Sequence, residues 1–147
     1  MNTVRTCRQA MSYQPIHDAA REGHVEKLKQ LLKAKIDDVD VADLEGWTPL
    51  IYGAATGRLE CVKVLIEHQA IVDKVSRTRG QTGLHVACFR GHAEIAACLL
   101  DCGAVVNKCD NDGETALMSA VVGNEAKCVK LLLERRADTT VKAIAGP

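Results

Sequence analysis

The chain has 147 residues, of which 47% are hydrophobic, 26% are charged and only 3% are aromatic. This composition fits one folded domain with an aliphatic core, and it excludes a chain that is disordered over most of its length. The 19 basic and 19 acidic residues give no net charge, which argues against steering of the whole chain toward nucleic acid or an anionic membrane.

The N-terminal stretch MNTVRTCRQAMSYQ lacks the apolar run of a secretion signal. No stretch approaches the roughly 20 apolar residues that span a bilayer, so we expect no direct membrane insertion. The seven cysteines are odd in number and show no C-x-x-C pair, which favours reduced thiols. The sequence therefore predicts an intracellular protein of the cytoplasm, the nucleus or both.

One pattern of predicted elements occurs four times along the chain. Four segments align with one another at offsets of 34, 34 and 33 residues, starting at Gln14 (QPIHDAAREGHVEKLKQLLKA), Thr48 (TPLIYGAATGRLECVKVLIEH), Thr82 (TGLHVACFRGHAEIAACLLDC) and Thr115 (TALMSAVVGNEAKCVKLLLER). Self-similarity at such a period indicates a repeat architecture.

The first helix predicted in each copy has recognisable ends. Thr48, Thr82 and Thr115 are suited to the N-cap, because a threonine hydroxyl accepts a hydrogen bond from an otherwise unpaired backbone N–H. Pro15 and Pro49 follow the cap position, where a missing N–H costs nothing. Residues that readily adopt the left-handed conformation are expected to end these helices: Gly23, Gly57, Gly91 and Asn124.

The second helix predicted in each copy carries one apolar stripe with the spacing i, i+3, i+4. Two short helices cannot bury both of their apolar faces alone, so the copies are expected to stack. The stripe residues are Leu28, Leu31 and Leu32, then Val62, Leu65 and Ile66, then Ala96, Leu99 and Leu100, and finally Val129, Leu132 and Leu133.

These segments resemble the ankyrin-repeat family, whose unit has about 33 residues and a T-P-L-H-x-A core. Gly-His pairs at 23–24 and 91–92 and the segment GAVVN ending at Asn107 add to the resemblance. It implies an all-α repeat solenoid in which helix-turn-helix pairs are joined by β-turn fingers. We expect a single domain over 1–147, with an N-terminal lead at 1–12, repeats at about 13–42, 43–75, 76–109 and 110–142, and the start of a fifth finger at 143–147.

The sequence departs from the family pattern at a few positions. Gln14 replaces the capping threonine, and Gly83 and Ala116 replace the proline that follows it. The turns near Asp37 and Ser76 each hold one extra residue. We expect these departures to change local geometry and not the fold.

The resemblance implies that the histidines of the repeat, His17, His85, His24 and His92, hold turns and neighbouring repeats together by hydrogen bonds. A metal site needs several ligands around one ion, whereas stacked repeats separate equivalent imidazoles by about 10 Å. We therefore expect neither a metal nor any other cofactor.

No constellation typical of a catalytic site is recognisable in the sequence. Cys98, Cys102 and Cys109 lie close together but have no apparent fourth partner for zinc, and a reactive thiol is the alternative interpretation. Cys61 and Cys128 occupy equivalent repeat positions, which indicates small hydrophobic residues in or near the core. Without a phosphate-cradling loop or an activated nucleophile, we predict that the chain is not an enzyme and takes no small-molecule substrate.

The resemblance also implies a partner-binding surface made by the fingers and by the concave side of the first helices. Tyr13, Trp47 and Phe89 align with this surface and not with the core. Phe89 beside Arg90 has the composition of a binding hot spot. The positions predicted to contact a partner are Leu44, Glu45, Trp47, Thr56, Thr78, Arg79, Gln81, Phe89, Arg90, Asn111, Asp112, Glu114 and Val122.

Other interpretations of the same residues remain open. Phe89 and Trp47 could instead pack on their own or a neighbouring repeat as structural residues. The basic third finger, with Arg77 and Arg79 and with Arg90 behind it, lies between two acidic fingers. These charges could form salt bridges, select a partner of mixed charge or, against the opposition of the acidic fingers, bind nucleic acid.

The sequence therefore predicts a non-catalytic module that binds a peptide or domain of another protein on its concave face. The alternative is a targeting or regulatory segment of a longer protein, with an enzyme or channel beyond Pro147. The apolar fourth copy favours a longer chain or a partner that covers it. By resemblance, Asn107 lies where some ankyrin proteins are hydroxylated on asparagine, although its AVVN context lacks the usual preceding acidic residue.

Overall fold

The computed structural model describes residues 13–35 and 38–143, and its helices form four successive pairs. No strand occurs within these two ranges, so the chain is the all-α repeat solenoid that the sequence predicted. The predicted lead at 1–12, the turn near Asp37 and residues 144–147 of the fifth finger lie outside the described residues. The pairs are α1 (Pro15–Glu22) with α2 (Val25–Lys33), α3 (Pro49–Thr56) with α4 (Leu59–Glu67), α5 (Gly83–Arg90) with α6 (Ala93–Asp101), and α7 (Ala116–Val122) with α8 (Ala126–Glu134).

The first helix of each pair begins at the residue that the sequence indicated, and α1, α3 and α5 also end where it indicated. The hydroxyls of Thr48, Thr82 and Thr115 accept hydrogen bonds from backbone N–H groups three residues ahead, at 3.3 to 3.4 Å. These bonds satisfy donors that a helix cannot satisfy internally. Gly23, Gly57 and Gly91 directly follow their helices, with left-handed φ values of 80°, 77° and 81°. Asn124 is also left-handed, with φ 57°, but it follows α7 only after the right-handed Gly123.

The core is a continuous aliphatic layer between the row of first helices and the row of second helices. Leu65, Leu99 and Leu132 occupy the same stripe position in successive repeats, and each is 0% exposed. The prediction was wrong for Leu133, which is 49% exposed. Its counterpart Leu100 packs against the core and belongs to α6, which contacts α8 of the next repeat, whereas no described helix lies beyond α8.

The described cysteines are all free thiols, and three of them belong to the core. Cys61 and Cys128 are fully buried, as predicted from their equivalent positions, and so is Cys88. Burial raises the pKa of the Cys61 thiol, and the neighbouring Cys128 thiol together with burial raises that of Cys88. Because the thiolate is the reactive form, Cys61 and Cys88 are poor nucleophiles.

Histidine side chains join neighbouring repeats by hydrogen bonds, as the sequence predicted for three of them. Nε2 of His17 lies 3.1 Å from the carbonyl oxygen of Trp47, and Nε2 of His85 lies 3.1 Å from that of Glu114. His92 reaches back to the preceding repeat. Its partner there is the carbonyl oxygen of Ala55, at 3.3 Å.

The side chain of His24 makes no hydrogen bond with another described residue, so its role stays a prediction. His24 occupies in the first repeat the position that His92 occupies in the third. His92 bonds to the repeat before its own, and no described repeat precedes His24.

Side-chain oxygens also join the turns between repeats. The carboxylate of Asp40 accepts from the N–H of Ile71 at 3.0 Å, and Asp73 accepts from the next turn in the same way. Asn107 continues the series, because its side-chain oxygen accepts from the N–H of Asp138 at 2.8 Å. Asn107 is therefore an exposed residue with a structural bond, and its hydroxylation stays a prediction.

We expect the protein to lose stability as the pH falls below about 6.5, because His85 resists protonation in the folded state. Burial lowers the pKa of His85 from its ordinary 6.5, and this effect outweighs the opposing influence of the Glu114 carbonyl and Asp110. Nδ1 of His85 accepts a hydrogen bond from the N–H of Thr82 at 3.1 Å. A proton on Nδ1 would break this bond, because two N–H donors would then point at each other. The unfolded chain thus binds the proton first, and stability is full above pH 6.5 and decreases below it.

The size of this effect is bounded by one proton, which corresponds to a slope of at most about 1.4 kcal/mol per pH unit. Urea unfolding of the wild type and of His85→Gln between pH 7.5 and pH 5 measures it. We expect a shallower pH dependence in the variant, whatever its absolute stability. Parallel curves for the two proteins would contradict the assignment to His85.

Candidate partner-binding surface

The finger that precedes α3 is closed by the side chain of its first residue. The carboxylate of Asp43 accepts from the N–H groups of Glu45 and Trp47 at 3.0 and 2.9 Å. Asp110 makes the equivalent pair of bonds in the finger before α7, at 2.9 Å each. These side-chain bonds add to the backbone bond that closes each finger and give both fingers a fixed shape.

The finger before α5 differs by the extra residue that the sequence indicated. Its closing bond runs from the N–H of Ser76 to the carbonyl of Gln81, five positions later, whereas the bond from Asp43 to Trp47 spans four. Ser76 takes the closing role here, because its hydroxyl accepts from the N–H of Gln81 at 3.2 Å.

Neighbouring fingers stack through backbone hydrogen bonds. The N–H of Arg77 donates to the carbonyl of Glu45 at 2.8 Å, and the N–H of Asn111 donates to that of Arg79 at 3.0 Å. The guanidinium of Arg77 donates to the carbonyl of Leu44, with Nε at 3.0 Å. The Arg77 guanidinium is therefore bonded within the stacked fingers. This weakens the nucleic-acid alternative, which requires Arg77 as a phosphate-binding residue.

The fingers and the first helices enclose a groove on the concave side, with a volume of about 340 Å³. We call it the concave groove, and it crosses the second, third and fourth repeats. Of the thirteen positions predicted to contact a partner, nine line it: Glu45, Trp47, Thr78, Arg79, Gln81, Phe89, Arg90, Glu114 and Val122.

The other four predicted positions do not line the concave groove. Leu44 lies at a finger tip and is 60% exposed, and Asp112 is exposed at another. The hydroxyl of Thr56 donates to the carbonyl of Tyr52 at 2.8 Å, so it serves its own helix. The side-chain amide of Asn111 donates to Thr78 of the neighbouring finger at 3.4 Å and supports the stack instead.

Two groove residues, Val86 and Ser119, were missed from the sequence. Both are nearly buried, at 6% and 4% exposure, and they form the floor of the concave groove. Val86 precedes Phe89 by three positions and Ser119 precedes Val122 by three. One helix turn places such pairs on the same face, so helical spacing was the signal that could have found them.

Phe89 and Trp47 take different roles in this surface. Phe89 is 44% exposed and has no ring contact with another described aromatic side chain. Trp47 is half-buried, and its ring centroid lies 5.1 Å from that of Tyr52. Trp47 therefore serves packing and groove lining together, while Phe89 offers an unpaired ring to the concave groove.

Tyr52, which was not predicted, is the centre of an aromatic cluster beside the groove. It contacts Tyr13 edge-on at a centroid distance of 5.6 Å, and Tyr13 stacks on His17 at 5.2 Å. The hydroxyl of Tyr52 donates to the carboxylate of Asp43 at 2.5 Å. Burial raises the pKa of Tyr52, and the Asp43 carboxylate raises it further. Tyr13, predicted on the contact surface, is 42% exposed and packs at the edge of this cluster.

The charged groups of the concave groove are not paired with one another. Arg79 and Arg90 come from the third repeat, and Glu45 and Glu114 come from the repeats on either side. None of the four side chains forms an ion pair with another residue of the described ranges. The salt bridges between neighbouring fingers, one of the alternatives raised by the sequence, are therefore absent among the described residues of the concave groove.

A larger apolar concavity, about 690 Å³, lies on the outer face of the fourth repeat. Val121 and Leu133 border it and are 61% and 49% exposed. The corresponding faces of the other repeats are buried by stacking, so this is a continuation of the stacking surface and not a separate site.

No group of three or more His, Cys, Asp or Glu side chains in the described ranges converges as metal ligands would. Nor does any helix between residues 13 and 143, as far as they are described, combine the length and apolar character required to cross a membrane.

Comparison with known families decides the relationship of this chain. A family model of ankyrin repeats, three copies long, matches residues 2–76 and again residues 69–143. The chain belongs to the ankyrin-repeat family. Ankyrin repeats are generally non-catalytic and generally bind other proteins, which agrees with the predicted class of function.

Proteins similar to this chain cover a wide range of lengths. An E3 ubiquitin-protein ligase, KEG, of Arabidopsis thaliana is 33% identical over 120 residues, which are 81% of this chain and 7% of the ligase. Ankyrin repeat and SOCS box protein 3 of Homo sapiens is 41% identical over 60% of this chain and 17% of its own length. Protein phosphatase 1 regulatory subunit 27 of Mus musculus is 32% identical over 66% of this chain and 62% of its own length. The chain thus spans less than two thirds of each of these relatives.

Proposed function

We propose that this chain is a non-catalytic module that holds a peptide or domain of another protein in the concave groove. The observation that carries the proposal is that nine of the thirteen predicted contact positions line one groove. The proposal extends to an intracellular location in cytoplasm or nucleus, and to the four repeats acting as one binding domain.

Phe89 is the main apolar anchor of the proposed site. Its ring is 44% exposed at the end of α5, and Val122, 67% exposed, lies beside the same groove. Burying such a ring in a partner contributes on the order of 1.5 to 3 kcal/mol. Its removal is therefore expected to weaken binding about tenfold to 150-fold.

Affinity capture from a cell extract tests the proposal with the wild type and a Trp47→Ala/Phe89→Ala/Arg90→Ala variant, once circular dichroism shows both folded. We expect the variant to lose one specific set of partners. Because Trp47 packs on Tyr52, a second variant, Phe89→Ala/Arg90→Ala, removes groove contacts without disturbing that cluster.

A matched control removes apolar side chains that are as exposed but lie outside the concave groove. Ile71 and Val105 are each 54% exposed in turns between repeats, so Ile71→Ala/Val105→Ala serves this purpose. We expect this control to capture the wild-type set. Equal capture by the groove variants and the wild type would move the binding surface elsewhere and refute the proposal.

A second candidate function is a targeting or regulatory segment within a longer protein. This candidate is favoured because the chain covers only a small part of two relatives, 7% of the length of the ubiquitin ligase and 17% of that of the SOCS box protein. In that case the concave groove keeps its proposed role, and the catalytic or effector part lies in another segment. The full-length reading frame distinguishes the two candidates.

A further inference from the structure

The order of charges along the concave groove is its most specific feature. Successive repeats present Glu45, then the pair Arg79 and Arg90, and then Glu114. The order is therefore negative, positive, negative along the axis of the solenoid. A ligand that complements it has the opposite order, with an acidic group between two basic groups.

The central arginines are available to a ligand. Arg79 projects from a finger and Arg90 ends α5, and within the described residues neither guanidinium makes a hydrogen bond or an ion pair. A guanidinium binds a carboxylate through two parallel hydrogen bonds, which gives both strength and orientation. The flanking glutamates disfavour a doubly charged phosphate at the same place, because like charges repel.

The apolar side chains define what lies next to that acidic group. Phe89 precedes Arg90 in sequence and is 44% exposed, and Val86 beneath it is 6% exposed. An aliphatic or aromatic side chain that contacts the Phe89 ring therefore sits directly beside the carboxylate held by the arginines.

The dimensions of the concave groove set the spacing of the ligand. Neighbouring repeats are about 10 Å apart, and an extended chain advances about 3.3 Å per residue. One repeat thus corresponds to about three residues of an extended segment. The volume of about 340 Å³ accommodates a few side chains and not a folded domain.

We propose, resting on the proposed function, that the concave groove binds an extended peptide segment. Its central residue is acidic, and a basic residue lies three positions before it and another three positions after it. An apolar residue adjoins the acidic one and packs on Phe89. Arg79 and Arg90 hold the acidic side chain, while Glu45 and Glu114 each hold one of the basic side chains.

Selection from a phage-displayed library of random 12-residue peptides tests this pattern. We expect peptides enriched on the wild type to carry Asp or Glu with Lys or Arg three positions to either side. Their binding is expected to weaken at least about 30-fold in Arg79→Glu/Arg90→Glu, because two attractive pairs become repulsive. Selection on that variant is expected to place a basic residue at the centre.

The control for net charge is Lys63→Glu/Lys127→Glu, which makes the same charge change on exposed faces of α4 and α8. We expect it to bind the selected peptides as the wild type does. Phe89→Ala reports separately whether a peptide occupies the concave groove.

The possible results separate the two proposals. Peptides that depend on Phe89 but lack the acidic centre, or that bind the charge-reversed variant equally well, overturn the charge pattern and leave the proposed function standing. Peptides that are indifferent to Phe89→Ala overturn both. Failure to enrich any peptide overturns the assignment to an extended segment.

Discussion

A Leu99→Ala variant is expected to lower the free energy of unfolding by about 3 kcal/mol. Leu99 is 0% exposed in α6, between α4 and α8, which pack on its two sides. Its alanine variant loses apolar burial and leaves a cavity that helices held on both sides cannot fill. Urea unfolding followed by circular dichroism measures the loss.

The fourth repeat supplies a matched control for this prediction. Leu133→Ala makes the same chemical change on the corresponding apolar stripe, but Leu133 is 49% exposed. We expect it to cost less than about 1 kcal/mol, because about half of the side chain is already in water. Similar losses for Leu99→Ala and Leu133→Ala would show that the α6 position is not the tightly packed centre described above.

Gly123→Ala is expected to lower the free energy of unfolding by about 2 kcal/mol. A Cβ atom at Gly123 would overlap the carbonyl oxygen of Phe89 and lie 3.1 Å from its carbonyl carbon. These are backbone atoms of the neighbouring repeat, so they cannot move aside as a flexible side chain would. The variant has to separate the ends of α5 and α7.

The sign of this effect is itself informative. Gly123 has a right-handed conformation, with φ −75° and ψ −5°, which alanine adopts without strain. Where nothing blocks the added methyl group, such a replacement stabilises a protein by about 0.4 to 1 kcal/mol, because it restricts the unfolded chain. A gain in thermal or urea stability for Gly123→Ala would therefore contradict the close approach of α5 and α7.

The sequence does not reveal the contact at Gly123. The equivalent positions in the two preceding repeats are Thr56 and Arg90, whose side chains are tolerated there. The difference lies in α7, which ends at Val122 and has seven residues, whereas α3 and α5 each have eight. Such a shift of one residue at a helix end depends on how neighbouring repeats pack against each other.

Much of the scaffold was predictable because its determinants are local. Helix caps, left-handed residues and apolar spacing act within a few residues, and their recurrence from repeat to repeat removes ambiguity. The exposure of Leu133 was not predictable in this way. It depends on the absence of a neighbouring helix in the described structure and not on the stripe itself.

The candidate site was predictable in outline for a related reason. Alignment of the repeats places Trp47, Phe89 and Arg90 on one face, and the structure brings them to one groove. The pairing of Trp47 with Tyr52 and the bond from Arg77 to the Leu44 carbonyl were not foreseen. Both join residues whose distance depends on the bend of a finger, which no periodicity encodes.

The stacking of the fingers by main-chain bonds has a consequence for how such a surface changes over time. The bond from Arg77 to Glu45 and the bond from Asn111 to Arg79 both end on backbone carbonyls, so the side chains of Glu45 and Arg79 contribute nothing to them. Substitutions at those two positions therefore leave the hydrogen bonds between the fingers in place. Duplicated copies of this chain can therefore diverge in the partners they recognise through a few substitutions, while natural selection on stability acts on other residues.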